Sequence, residues 1–193
     1  MKTIPIGNPY LNERWNKYKG IRPDEKSIVF YSDEITGKAF ANFVVDFCSR
    51  NCHKGYKVYF KFHPTEKNFE MQYPMLVNNS DINILPLQMG VYEAFTMAKH
   101  HVSVMSTVLY EAVVFDVKRY IWKVEGMSQY TKPLLDANLA KEFETVEEFE
   151  SSLSEEVNYN TDMIEMIWPQ DAREKGNREL AVILNKHCVK SEV

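Results

Sequence analysis

Between Ser27 and Trp122, short apolar runs alternate with amphipathic stretches of helical period, and this alternation constrains the fold more than any other feature. Ile28-Val29-Phe30-Tyr31 reads as a buried strand. Lys38 to Asn51 then carries Phe40, Phe43, Val44 and Phe47 on one helical stripe. Gly55 closes that unit, and Lys57 to Phe62 is a second strand. Ile82 to Leu85, ended by Pro86, is a third, and Val91 to Lys99 a helix. His101 to Met105 is a fourth strand running straight into a helix from Thr107 to about Phe115, and Lys118 to Trp122 is a fifth. Strands separated by helices need crossover connections. The expectation is therefore an α/β, three-layer domain with a mostly parallel sheet covered on both faces. Such a sheet holds ligands in the crevice outside the carboxyl ends of its strands.

The flanks differ from this centre. The first 26 residues are turn-rich at Ile4 to Tyr10 and then polar and aromatic to Gly20, so 1–26 is expected to be a connector and 27–193 the α/β domain with C-terminal helices. Thr145-Val146-Glu147-Glu148 is a capping box that starts a short acidic helix through Leu153. The acids of 142–156 read as a solvated face. Asp171 to Lys186 reads as a final helix.

Composition narrows the partners. A net charge of −4 argues against nucleic acid, which needs a basic face. No apolar run approaches the roughly 18 residues of a membrane helix, and Met1 to Pro5 opens no signal peptide. Three cysteines make no disulfide framework, so the expected location is cytoplasmic. Cys48, Cys52 and His53 lie close in sequence, but Cys48 and Cys52 sit four apart on an apolar helix, where free cysteine behaves as a small hydrophobe; no metal is expected.

Three strand ends carry the chemistry. The second strand ends in Lys61-Phe62-His63-Pro64, and the proline forces the chain out of the sheet. His63 thus sits at the crevice mouth, where its imidazole either donates to a phosphate oxygen or hydrogen-bonds a nearby loop. Lys61 alternates with Phe62 and so points to a different face from it. The fourth strand passes into Ser106-Thr107-Val108-Leu109-Tyr110-Glu111-Ala112. Ser106 is placed as N-cap, and the free amides with the Ser106 and Thr107 hydroxyls would form an anion site. Glu111, one turn on from Thr107, is at the reach of a ribose or is simply solvated. The loop after the first strand offers Ser32, Thr36 and Gly37 to a phosphate or sugar. Neither G-x-G-x-x-G nor the G-x-x-x-x-G-K-[ST] phosphate loop is present.

Taken together, His63-Pro64, then Ser106-Thr107 with Glu111, and the opening Gly7-Asn8-Pro9, resemble the C-terminal half of a GT-B glycosyltransferase. The similarity is to bacterial polysialyltransferases and CDP-glycerol glycerophosphotransferases, and it spans about Ile6 to Trp122. It implies a Rossmann-like domain, half of a GT-B fold, that binds a nucleotide-activated sugar (CMP-, CDP- or UDP-linked) in bacterial capsule or lipopolysaccharide synthesis. By the same resemblance His63, Ser106 and Thr107 would hold the donor phosphate, Glu111 the ribose, and Pro86 to Met89 would border the base. No separate cofactor is implied. The acceptor site and catalytic base would belong to a missing N-terminal domain, so this half would transfer little alone, and the full enzyme could associate peripherally with a membrane. The aromatics from Tyr10 to Tyr18 would cover that domain or a second copy in a homodimer. The alternatives are a stand-alone α/β nucleotide-binding or interaction module without catalysis, and a receiver- or flavodoxin-like domain using Asp33. The latter needs acids and a lysine at later strand ends, where His63 and Ser106 stand instead.

Overall fold

In the computed structural model, which describes residues 8–50, 55–160, 162–164, 168–169 and 171–188, six strands form one sheet in the order β3-β2-β1-β4-β5-β6, every pair parallel. The elements run α1 (Pro9–Tyr18), β1 (Asp24–Tyr31), α2 (Gly37–Ser49), β2 (Lys57–Lys61), α3 (Phe69–Gln72), α4 (Pro74–Val77) and β3 (Ile82–Ile84). There follow α5 (Val91–Met97), β4 (Ala98–Ser103), α6 (Val108–Glu111), β5 (Lys118–Trp122), α7 (Ser128–Asp136), β6 (Lys141–Phe143), α8 (Val146–Leu153) and α9 (Ala172–Cys188). This is the expected three-layer, Rossmann-like α/β domain, the architecture of half a GT-B fold. The chain builds outward from β1 through β2 to β3, then crosses back to lay β4 on the other side of β1. The junction of β1 and β4 is therefore the switch point where a crevice must open.

The period of two in β1 divides the core. Ile28 and Phe30 enter one cluster with Phe40, Val44, Phe47 and Phe149, while Val29 and Tyr31 enter the other with Phe95, Leu109 and Leu134. Both faces are buried, as a parallel sheet requires. Phe149 of α8 anchors the first cluster, its ring 4.7 Å from Phe143, 5.2 Å from Phe47 and 5.7 Å from Phe30. The capping box that starts this helix is formed: Thr145 Oγ1 accepts from the Glu148 N–H at 3.2 Å, and Glu148 Oε2 accepts from the Thr145 and Glu144 N–H groups.

Several elements depart from the sequence reading. Residues Pro9–Tyr18, within the segment read as a connector, are helical, because Asn8 caps the Tyr10 N–H and Pro9 occupies the first turn. Helix α7 starts without a side-chain cap and contains Pro133, and β6 buries only Phe143, so neither carries a strong periodic signal. The helix expected from Thr107 to about Phe115 is a four-residue α6 followed by a 3-10 turn, Ala112–Val114. Arg119 explains the early end. Its Nη1 donates to the carbonyls of Ala112 (3.2 Å) and Val117 (3.0 Å), while Nε donates to Leu139 O, so the last carbonyls turn toward the buried guanidinium. Gly7, Asn51, Cys52 and His53 lie outside the described residues.

Candidate functional site

At the carboxyl ends of β1, β2 and β4 a cleft of about 260 Å³ opens, lined among others by Ser32, Lys61, His63 and Ser106. Leu87, Met89, Val91 and Val108 give it an apolar wall. The sheet order makes this convergence: β1 lies between β2 and β4, so the loops leaving all three strands meet. Wider hollows, of about 510, 570 and 380 Å³, lie elsewhere, the last between the end of α1 and Val114 to Asp116. The first is lined by Glu142, Glu147, Glu148 and Glu155, and the second by Lys99 and Lys118 near the amino ends of β4 and β5. Topology favours the smaller cleft, since ligands of such sheets gather at strand carboxyl ends.

His63 is exposed on the rim. Its backbone N–H donates to Glu66 Oε2 (2.8 Å), and its Nδ1 pairs with Thr65 Oγ1 (2.6 Å), so the local loop bond takes one ring nitrogen. Nε2 has no hydrogen-bond partner among the described residues. Ser106 is half-buried, and its Oγ accepts from the Val108 N–H at 3.3 Å, while Thr107, exposed, holds the cap position of α6. The sequence placed the cap on Ser106, one residue earlier. A helix of four residues has little macrodipole, so any anion held here depends on side chains more than on the helix start.

Glu111 is half-buried, one turn along, beside the phenol of Tyr92 rather than among the cleft-lining residues. Burial, followed by that facing carboxylate, raises the Tyr92 phenol far above its ordinary range. Thr36 is buried and donates its hydroxyl to Asp33 Oδ2, while Asp33 Oδ1 also accepts the Ile35 and Thr36 N–H groups. Asp33 is thus occupied in shaping its own turn. Ser32 borders the cleft, yet its hydroxyl is given to Glu66 Oε1 at 3.0 Å.

Sequence reasoning missed two residues here. Glu66, 6% exposed, accepts from Ser32, from the Tyr73 hydroxyl (2.9 Å) and from the His63 backbone. Gly37 lies against this knot. A Cβ on it would stand 2.7 Å from Tyr73 Oη and 3.1 Å from Glu66 Oε1, so its bare backbone is what the close packing of this knot requires. The second is Lys61, 4% exposed and cleft-lining despite its assignment to a face away from Phe62. Phe62 packs on Phe69 and Tyr73 and also borders the cleft, so both faces of the strand end reach it. A lysine two residues before the His-Pro step, directly after the apolar run Val58-Tyr59-Phe60, was the available signal.

Deeper in the sheet, His101 is fully buried: its Nε2–H donates to Ala98 O (2.7 Å), and Nδ1 accepts from the Tyr31 hydroxyl (2.8 Å). Burial holds its pKa down at about 3. His101 is therefore a structural residue of the sheet. Burial likewise pushes the Cys48 thiol up to about 12. No helix among the described residues is long and apolar enough to cross a membrane.

No family model and no curated protein sequence matches the chain. In structure it is similar to the UDP-GlcNAc 2-epimerase of Methanocaldococcus jannaschii, solved in complex with UDP-GlcNAc and UDP, at a TM-score of 0.63 and 13% identity. The match covers 93% of this chain and 54% of the epimerase, so the chain spans about half the length of that enzyme. What is shared is the fold: a GT-B-like half domain with a six-stranded parallel sheet.

Proposed function

We propose that this chain is the donor-nucleotide-binding half of a glycosyltransferase or glycerophosphotransferase of bacterial surface polysaccharide synthesis, working with an N-terminal domain that residues 1–26 would join to it. The observation that carries the reading is the meeting of His63, Ser106 and Lys61 in one cleft at the switch-point end of the sheet. An imidazole and an ammonium from the end of β2 and a hydroxyl from the loop after β4 offer donors to phosphate oxygens, and the apolar wall from Leu87 to Val91 suits the flat face of a base. The donor would be a CMP-, CDP- or UDP-linked sugar, with Thr107 at the phosphate and Glu111 at the ribose. Its neighbour in fold was solved with UDP-GlcNAc and UDP, which fits this class.

One feature favours binding without transfer by the chain alone. No Asp or Glu is among the described cleft-lining residues, so no carboxylate there can serve as the base for an acceptor hydroxyl. Calorimetric titration of the full chain with CMP, CDP, UDP and GDP tests the proposal. Binding of a pyrimidine nucleotide, weakened in His63→Ala and Ser106→Ala, is expected. Silence toward all four at millimolar concentration would return the chain to a plain α/β interaction module.

A further inference from the structure

Lys61 ends β2 beneath the cleft with its ammonium out of water and no carboxylate to offset it. The residue is 4% exposed, and its one described hydrogen bond is a long one, 3.5 Å to Leu87 O. The buried acid of this region, Glu66, already accepts from Ser32, Tyr73 and His63. Burial lowers the Lys61 pKa, and no neighbouring charge opposes that shift. Lysines on apolar surfaces ordinarily carry their ammonium out to solvent, and buried ones are paired, because an unpaired buried charge is costly. A methionine would fill this strand position without that cost.

We propose that Lys61 is the anion receptor of the cleft, pairing from its floor with a phosphate oxygen of the bound nucleotide while His63 and Ser106 approach from the rim. The identity of the ligand rests on the donor-nucleotide reading; the requirement for negative charge does not. It follows from a lining that holds one lysine and no acid among the described residues. The cleft volume, about 260 Å³, falls just below the roughly 300–1,000 Å³ of sites that engulf a whole small molecule, so it admits the phosphorylated part of a ligand and leaves the remainder outside. The carboxylate of an acidic sugar carries the same charge and is the competing source.

The test is calorimetry on the full chain and on its Lys61→Met and Lys61→Arg variants, with CMP, cytidine, inorganic phosphate and glucuronate. Wild type is expected to prefer CMP over cytidine by roughly 10- to 100-fold, as for a charge-assisted hydrogen bond. Lys61→Met should lose that preference while keeping its weak cytidine binding, and Lys61→Arg should regain part of it. As the pH rises toward the 10.5 of a free lysine, the wild-type heat should come to vary with the buffer's ionisation enthalpy, showing a proton taken up as the anion arrives; Lys61→Met should show no such uptake. CMP binding unchanged in Lys61→Met would overturn the assignment and leave the nucleotide reading standing. Lys61-dependent binding of phosphate or glucuronate without CMP would keep the receptor and overturn the nucleotide. If Lys61→Met does not fold, wild-type proton uptake decides alone, and its absence sinks the assignment, as does failure to bind any of the anions.

Discussion

The Ser32 hydroxyl donates a 3.0 Å hydrogen bond to the Glu66 carboxylate, tying the loop that leaves β1 to the loop that leaves β2. The Tyr73 hydroxyl donates to the same oxygen, Oε1, and the His63 backbone N–H donates to the other, Oε2. Two of the three strand ends that form the cleft are therefore held by one buried acid, which also bonds the His63 backbone.

Glu66→Gln places an amide nitrogen where the carboxylate accepted three bonds from donors. The expected loss is about 1–3 kcal/mol of stability, read as a lower urea midpoint at unchanged slope. Gly37→Ala should act in the same direction, since its methyl would press on Tyr73 Oη. An unaltered midpoint in both would show that the knot is not holding the loops.

His100 and His101 set the acid limit. Burial lowers their pKa values to about 4 and about 3, against 6.5 for a free imidazole. Both stay neutral in the fold while the unfolded chain takes up protons below about pH 6.5. Their full contribution is thus present above that pH and declines as pH falls toward 4, by about 1.4 kcal/mol per unit for each histidine. Urea midpoints from pH 7 to about pH 4.5 should fall accordingly, and His101→Gln should flatten the slope.

Phe149→Ala should cost about 3–5 kcal/mol, because its ring packs on Phe43 and Phe47 of α2 and on Phe30, Tyr120 and Phe143 of β1, β5 and β6. Thr145→Ala, which removes only the cap of the same helix, should cost about 1 kcal/mol. Thermal melts of the two variants check the order; the reverse order would mean that α8 is held by its cap and not by its ring.

On the donor-site reading, Glu111 accepts from ribose hydroxyls. Wild type should then bind CMP more tightly than 2′-deoxy-CMP, and Glu111→Ala should bring the two together. Equal affinities in wild type would remove Glu111 from the site and leave it as the neighbour of Tyr92.

The sheet was legible because parallel strands buried on both faces leave continuous apolar runs: Lys118–Trp122 has the boundaries its composition suggests, and the Thr145 box forms as written. The crevice was legible through topology, which brought Ser32, His63 and Ser106 to one place. Elements without such signals were not. Helix α1 hid behind Pro9, whose ring marks a turn as readily as a first helical position, and β6 is mostly polar. Glu66 and Lys61 escaped because partnership is a property of three dimensions. Nothing local says that Glu66 will find Ser32 thirty-four residues away, or that Lys61 will find no acid.

The sheet is flanked by its two shortest strands, β3 and β6, of three residues each. Edges that brief offer too few free amide and carbonyl groups to recruit a foreign strand, so growth of the sheet by strand addition is blocked on both sides. A companion domain or a second copy must instead seat itself across the loops at the strand tips or upon the outer helices, which brings the companion to the same end of the molecule as the cleft or leaves the cleft open.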